Sequence, residues 1–307
     1  MAMNADTRQF SKIVLFGVGL IGGSFALALK QRVAATQIVG VERNPVALAR
    51  AVELGIIDSA SNDLAAALTG ADLIVVAAPV AQTGAILASI YPHLQPHTVV
   101  TDTGSTKSDV VVAARVALKE KIAQFVPAHP IAGRESNGPD AAIADLYHGK
   151  KLVITALPEN TPDTVDTVAL AWRYCGAQPH YLTPEQHDQV FAAVSHLPHL
   201  LAYALVDQIA VQPQADLRFQ YAASGFRDFT RIAGSSPEMW RDICLANRSV
   251  LQRELHQYQV QLQTLATALE TSDGARLLDI FTNAQTARQR WINSIESAEK
   301  PPREGGD

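Results

Sequence analysis

Lys12-Ile-Val-Leu-Phe-Gly17-Val-Gly19-Leu-Ile-Gly22-Gly-Ser-Phe-Ala-Leu-Ala-Leu29 is the stretch that decides the fold. Its first five residues are an apolar run rich in strand formers, and residues 23–29 suit a helix. Gly17 permits a tight turn between them, Gly19 lets the backbone approach a pyrophosphate, and Gly22 lets the helix pack close to the strand. Free N–H groups at the helix N-terminus favour negative charge, with the macrodipole behind them. Twenty positions past Gly22, Glu42 ends a second apolar run, Ile38–Val41. A carboxylate there accepts hydrogen bonds from an adenosine ribose. Strand, glycine turn, helix, strand and acid in that order predict a dinucleotide site. A bare glycine-rich turn explains the glycines but not the acid. A secretory signal is the other reading of residues 13–29, which follow Arg8 and Lys12. Four glycines, a β-branched start and no small-residue cleavage site argue against it. The run is also too short and glycine-rich for a membrane span.

At 307 residues the chain is long enough for two domains. It is 48% apolar and 18% charged, ordinary for a globular protein. A net charge of −5 offers no basic field for nucleic acid or an anionic membrane. Neither partner is expected, and an anionic substrate must be held by a few local cations. Cys175 and Cys244 have no motif spacing and read as buried thiols in a reducing cytoplasm. The tail, residues 299–307, is polar and breaker-rich, and disorder is expected there.

From residue 12 to about 183, short apolar runs alternate with helical stretches. The runs are Ile13–Phe16, Ile38–Val41, Leu73–Ala77, Val99–Thr101, Phe125–Ala128, Leu152–Thr155 and a weaker one near His180–Leu182. Several are continuous, as parallel strands covered on both faces are. The order predicts an α/β, doubly wound, Rossmann-type dinucleotide-binding domain over residues 1–183. Ligands on such sheets bind beyond the carboxyl ends of the strands. Ala77-Ala78-Pro79, Asp102-Thr-Gly-Ser-Thr-Lys107 and His129-Pro130 stand at such ends. The expected cofactor set is Gly17, Gly19, Leu20, Ile21 and Gly22, with Glu42, Arg43, Ala78 and Pro79. Glu42 favours NAD by contacting the ribose and repelling a 2′-phosphate; Arg43 beside it softens that bias, so NADP stays open.

After Thr183 no strand-like run occurs, and residues 184–298 read as an all-α domain. Thr183-Pro184-Glu185 and Ser236-Pro237-Glu238 are capped helix starts. One long helix is expected over Pro237–Thr271. Leu251, Leu255, Tyr258, Leu262, Leu265 and Leu269 recur along it at helical spacing. That is more apolar face than one chain readily covers, so an intertwined homodimer is expected, with intrachain packing as the alternative.

Four segments carry candidate chemistry. His129 follows a strand and precedes Pro130-Ile-Ala-Gly133, so its imidazole is expected at a rim, where it can accept a proton from a substrate hydroxyl. Ser105 can hydrogen-bond the same oxygen, fix the imidazole, or cap the next helix. Lys107 binds an anion or decorates that helix's first turn. In Ser195-His-Leu-Pro-His199, zinc is not expected, since no Glu completes a metalloprotease pattern and no Cys lies nearby. His187-Asp188 faces the same cleft or forms a surface pair. Arg227 and Arg231, with Asp228 between, are the best place to hold a carboxylate, or are solvated. Trp240 reads as core.

Together Gly17–Gly23, Thr101–Lys107, His129–Gly133, Asn137-Gly138, His187-Asp188, Ser195–His199, Gly225–Ala233 and Trp240-Arg-Asp242 resemble the prephenate/arogenate (cyclohexadienyl) dehydrogenase family of tyrosine biosynthesis. The resemblance spans residues 12–250. It implies hydride transfer from the ring carbon bearing the hydroxyl to NAD(P), with loss of the ring carboxylate as carbon dioxide. The product is 4-hydroxyphenylpyruvate or tyrosine. It implies that His129 acts on the ring hydroxyl, with Ser105 hydrogen-bonded to both. It implies that Arg231 binds a substrate carboxylate, that Ser195, His199 and His187 line the substrate pocket, and that a helical domain dimerises. No regulatory domain of ordinary size is expected beyond residue 307.

Two rivals remain. A 3-hydroxyacid dehydrogenase or imine reductase shares the sheet-plus-helices plan, but the hydroxyacid enzymes use a lysine where this chain has His187, His196 and His199. A non-catalytic NAD-sensing module needs neither His129 nor the Arg231 segment. Whether the substrate side chain is pyruvyl or alanyl is not legible from the residues.

Overall fold

Residues 12–16 form the central strand because each side chain after Lys12 is apolar and covered on both faces of the sheet. A computed structural model describes residues 10–33 and 36–299, with side chains to residue 295. The tail expected to be disordered lies outside the described residues, apart from Glu299, which ends the last helix. Contacts divide the chain into two units, Met1–Leu251 and Gln252–Asp307. The expected boundary at 183/184 is a change of secondary-structure type.

In the first unit, strands β1 (Lys12–Phe16), β2 (Gln37–Val41), β3 (Ser59–Ala60), β4 (Leu73–Val76), β5 (Val99–Asp102) and β6 (Phe125–Val126) form a parallel sheet in the order β3-β2-β1-β4-β5-β6. The order reverses between β1 and β4, the switch point where such sheets bind ligands. Helices α1 (Leu20–Arg32), α2 (Pro45–Glu53), α3 (Leu64–Leu68), α4 (Thr83–Ile90), α5 (Ser108–Leu118) and α6 (Pro162–Tyr174) make the crossovers and their extensions. Asn44 accepts from Val46 and Ala47 amides ahead of Pro45 to start α2, and Thr161 caps α6.

One expected strand is two. Phe125–Ala128 breaks at Pro127, whose nitrogen has no proton for a ladder. Phe125–Val126 stays in the parallel sheet as β6. Ala128–Pro130 becomes β7, antiparallel to β8 (Lys151–Ile154), which pairs in parallel with β9 (Gln178–Tyr181). The later runs therefore build a second, three-stranded sheet rather than extending the first.

Helix α1 is pinned from outside the turn. Trp172 is fully buried and meets Phe25 and Tyr147 edge-on, with ring centroids 4.9 and 5.0 Å apart. The Tyr147 hydroxyl donates to the Ile21 carbonyl at 2.6 Å.

Helix α7 (Pro184–Phe191) opens with the reciprocal pair of Thr183 and Gln186, a capping box. A π-helical turn over Ala192–His196 joins it to α8 (Leu197–Ala210). Pro198 supplies no N–H to the carbonyl four residues back, and the helix widens through that turn instead of ending. The continuous stretch Pro184–Ala210 has the length and apolarity to cross a membrane. Helices α9 (Ala215–Gln220), α10 (Ser224–Thr230) and α11 (Pro237–Ala246) follow. The long helix expected over 237–271 breaks after Ala246; Asn247 is in a non-helical conformation and buried, held by side-chain contacts described below. Helix α12 (Arg248–Glu270) resumes from there. In the second unit, the rest of α12 and α13 (Gly274–Glu299) expose Val260, Leu262, Leu269, Leu278, Phe281 and Trp291.

A Cβ on Gly22 would stand 2.1 Å from the Gly17 carbonyl oxygen and 3.0 Å from Ala77. Gly22→Ala is expected to destabilise the protein by about 1–3 kcal/mol through overpacking and to weaken NADH binding, read by denaturant midpoint and nucleotide fluorescence titration. Unchanged values in both would show that the helix does not need this close approach.

Candidate active site

The cofactor cradle is built from backbone. Gly17 has φ +90°, and its Cβ would stand 2.5 Å from the Ala77 carbonyl oxygen, so the end of β4 lies against the turn. Gly19 is the residue preceding α1, and no side chain caps that helix. A Cβ built on Gly19 meets nothing within 4 Å, which leaves open space in front of the first-turn amides of Leu20 and Ile21. Uncapped amides, open space and a helix dipole fit a diphosphate. Glu42 at the end of β2 turns one carboxylate oxygen onto the amides of Arg43 (2.8 Å) and Asn44 (3.3 Å). Arg43 is exposed, and Ala78 and Pro79 follow β4 on the same rim.

One buried ion pair joins the parallel sheet to the second sheet. Asp102 ends β5 with no exposure. Its carboxylate accepts from the Gly104 amide (2.8 Å), the Ala128 amide (3.0 Å) and the Lys107 ammonium. Lys107 also donates to the Ala128 carbonyl at 2.8 Å. Lys107 is fully buried, so it neither binds a substrate anion nor decorates a surface turn. The loop after β5 folds its side chain back under the strand end, where the carboxylate meets it. Removing one member of such a pair strands a charge, typically at about 3–5 kcal/mol.

His129 is the next residue after Ala128. It lies within β7, paired with Val153, rather than in a loop, and is half-buried. Its Nδ1 is 2.8 Å from Nε2 of His187, whose Nδ1 is 2.8 Å from the Asp188 carboxylate. Asp188 also accepts from the Lys107 and Ser108 amides, both at 2.8 Å, at the N-terminus of α5. Phe191 packs on both imidazoles, with centroids 5.1 Å from His129 and 4.5 Å from His187. The expected partner of His129 was Ser105; among the described residues it is His187. His187 is fully buried with both nitrogens engaged, so it supports His129 instead of lining a pocket.

Burial, with His187, Lys107 and His196 nearby, holds His129 well below the ordinary imidazole value. Burial also lowers His187, against the pull of Asp188. Burial would raise Asp188, but hydrogen bonds from His187 and Ser108 and from the Lys107 amide outweigh it and hold the carboxyl low.

The π-helical turn presents the second group. His196 Nδ1 meets the Asn247 amide at 3.2 Å, and that amide also donates to the Asp188 carbonyl at 2.9 Å. Burial and then His187 push His196 down to about 4. His199 donates from Nδ1 to the Ser195 carbonyl (2.9 Å) and stacks on Trp240 at 3.5 Å between centroids. Arg231 acts electrostatically on His199 and pairs with Glu135, on the loop after β7. Arg231 lies in the 3₁₀ turn past α10 and remains accessible, with 61% of its side chain exposed. Arg227 is not drawn into this group: it is 80% exposed, with Asp228 as its neighbour at 3.9 Å.

Two known family domains match most of the chain from residue 25 onward. The nucleotide-binding domain of prephenate dehydrogenase matches residues 25–181, and the prephenate dehydrogenase dimerization domain matches residues 183–283. The chain belongs to the prephenate dehydrogenase family. It is 34% identical to cyclohexadienyl dehydrogenase of Zymomonas mobilis over 91% of this chain and 95% of that protein. It is 33% identical to prephenate dehydrogenase of Bacillus subtilis over 90% of this chain and 75% of that protein. Prephenate dehydrogenase of Aquifex aeolicus, crystallised with hydroxyphenyl propionate and NAD+, superposes with a TM-score of 0.86 at 33% identity, covering 92% of this chain and 99% of that one. As a member of this family the chain is an NAD-dependent oxidoreductase with a Rossmann-type domain followed by helices.

Residues that composition and spacing did not single out for this site are Glu135, Asn247 and the pairing of Asp102 with Lys107. Glu135 carried one signal, as the carboxylate nearest after His129 in the chain. Asn247 carried none, because its partners lie 51 and 59 residues away.

Four imidazoles, His129, His187, His196 and His199, have depressed values in the folded chain. The unfolded chain binds these protons near pH 6.5, so their contribution to stability is complete above that pH and is lost as pH falls through the folded values. Melting temperature is expected to decline from pH 7 to pH 5. A flat profile would mean that these rings are charged in the folded protein.

Proposed function

We propose that this chain oxidises prephenate or arogenate with NAD, releasing carbon dioxide and an aromatic product. The observation that carries this reading is His129: a half-buried imidazole kept neutral by its surroundings, one residue beyond the clamp at the end of β5. A neutral ring accepts the proton of the substrate ring hydroxyl as its carbon becomes a carbonyl. Loss of the ring carboxylate then restores aromaticity, which supplies the driving force. Bound NAD supplies the hydride acceptor. Gly17, Gly19, Leu20, Ile21 and Gly22 would hold its diphosphate, Glu42 and Arg43 its ribose end, and Ala78 and Pro79 the rim beside it.

Arg231 is the cation for the side-chain carboxylate, since it is accessible and close enough to influence His199. Ser195 and His199 line the same side. His199, having donated Nδ1–H to Ser195, offers its other nitrogen as an acceptor. Ser105, part-buried at the end of β5, supplies a hydroxyl to the substrate oxygen. The remaining job of the protein is orientation, which typically supplies much of the rate in such reactions.

The working domains are 1–183 for the cofactor and 184–298 for substrate and dimerisation. The exposed apolar residues of α12 and α13 are the surface for a second copy of the chain. Two free cysteines suit a cytoplasmic enzyme.

Initial rates with prephenate or arogenate, each with NAD or NADP, test the reading by absorbance of the reduced nicotinamide. Turnover in at least one combination is expected, faster with NAD. No turnover in any of the four from protein that binds NADH would overturn it. His129→Asn is expected to keep NADH affinity and lose most of kcat. Arg231→Ala is expected chiefly to raise KM for the cyclohexadienyl substrate; a normal KM would assign the carboxylate elsewhere.

A further inference from the structure

Three side chains from two elements form a directed hydrogen-bond chain ending at His129. Asp188 is ionised and therefore an acceptor, already receiving the Lys107 and Ser108 amides. The contact between its carboxylate and His187 Nδ1 must be made by a proton on that nitrogen. A neutral His187 with its proton on Nδ1 has a lone pair on Nε2. His129 Nδ1, 2.8 Å from that lone pair, must then carry its own proton. The one nitrogen of neutral His129 left to act as a base is Nε2. We propose that Asp188 is a positioning residue which, through His187, determines which nitrogen of His129 is the base. This rests on His129 serving as the proton acceptor in the proposed reaction.

The arrangement is held from outside the reacting groups. The N-terminus of α5 donates two amides to Asp188, and Asn247 holds its carbonyl, so the carboxylate has little freedom to leave His187. The positive charge His129 gains on taking a proton lies in line with Asp188, two hydrogen bonds away. A carboxylate behind an imidazole stabilises that charge and orients the ring without itself taking the proton.

Exchanging the carboxylate for an amide, as in Asp188→Asn, reverses the chain. Oδ1 takes the Lys107 amide together with His187, and Oδ2 takes the Ser108 amide. Ser108, bonded through both its amide and its side chain, keeps the new oxygen, so the NH₂ gives up the Lys107 contact and donates to His187 Nδ1. The His187 proton moves to Nε2, His129 accepts at Nδ1, and its Nε2 becomes protonated and useless as a base.

The test labels the full-length protein with ¹⁵N-histidine and reads ring tautomers by long-range proton–nitrogen correlation at pH 8, with His129 assigned through a His129→Gln control. The wild type is expected to show the Nδ1–H tautomer at His129. Asp188→Asn is expected to show Nε2–H, with NADH affinity kept, KM within a few-fold, and kcat lower by between about 10²- and 10⁴-fold; Asp188→Glu is expected to recover part of kcat. An Nε2–H tautomer at His129 in the wild type overturns the proposal. So does an Asp188→Asn protein that binds NADH, carries the Nε2–H tautomer at His129 and keeps the wild-type kcat. If Asp188→Asn does not fold, the wild-type spectrum decides. Absence of turnover on both cyclohexadienyl substrates would sink the proposed reaction and leave the tautomer result standing for Asp188.

Discussion

The buried contact of Lys107 with Asp102 is the constraint on which the rest of the site depends. Its side chain joins the end of β5 to Ala128, the first residue of the second sheet. Its amide holds Asp188 of α7. One residue thus ties together the cofactor sheet, the strand carrying His129, and the helix carrying His187. A lysine with no solvent exposure persists because each charge has a partner and each carboxylate oxygen is further hydrogen-bonded. Shifting either side chain would move His129 relative to β5.

Around that clamp the protein has arranged histidines that burial keeps uncharged. The consequence is a division of labour in a chain of net charge −5. Neutral imidazoles stand inside, and the Arg231 guanidinium, paired with Glu135, is left accessible at the edge. The N-terminus of α1 uses neither: with no capping side chain it presents amides and a dipole that suit an anion.

The π-helical turn at Ala192–His196 does similar work for the helices. Pro198 would end an ordinary helix; here the wider turn carries the chain through while His196 faces Asn247 and His199 stacks on Trp240. Such turns recur at functional sites because they rotate the residues that follow without breaking the element.

Short-range patterns were sufficient for the strand, glycine turn and helix at residues 12–29, the acid at Glu42, and the capped starts at Thr183 and Ser236. Each is a matter of periodicity, backbone freedom or a hydrogen bond a few residues long. They also placed His129 and Ser105, at strand ends, and Arg231, one helical turn from Arg227, among the residues worth watching, because their types suit the chemistry. They misjudged Lys107, joined β6 to β7 across Pro127, and ran α11 into α12 across Asn247. It took the folded chain to show that Lys107 is buried, that His129 leans on His187 rather than Ser105, and that Asp188 stands on the end of α5. The contacts of His129 and Asp188 join residues 58 to 81 positions apart in the chain. Their geometry comes from the packing of sheet, second sheet and helix together, and no local pattern of residues encodes it.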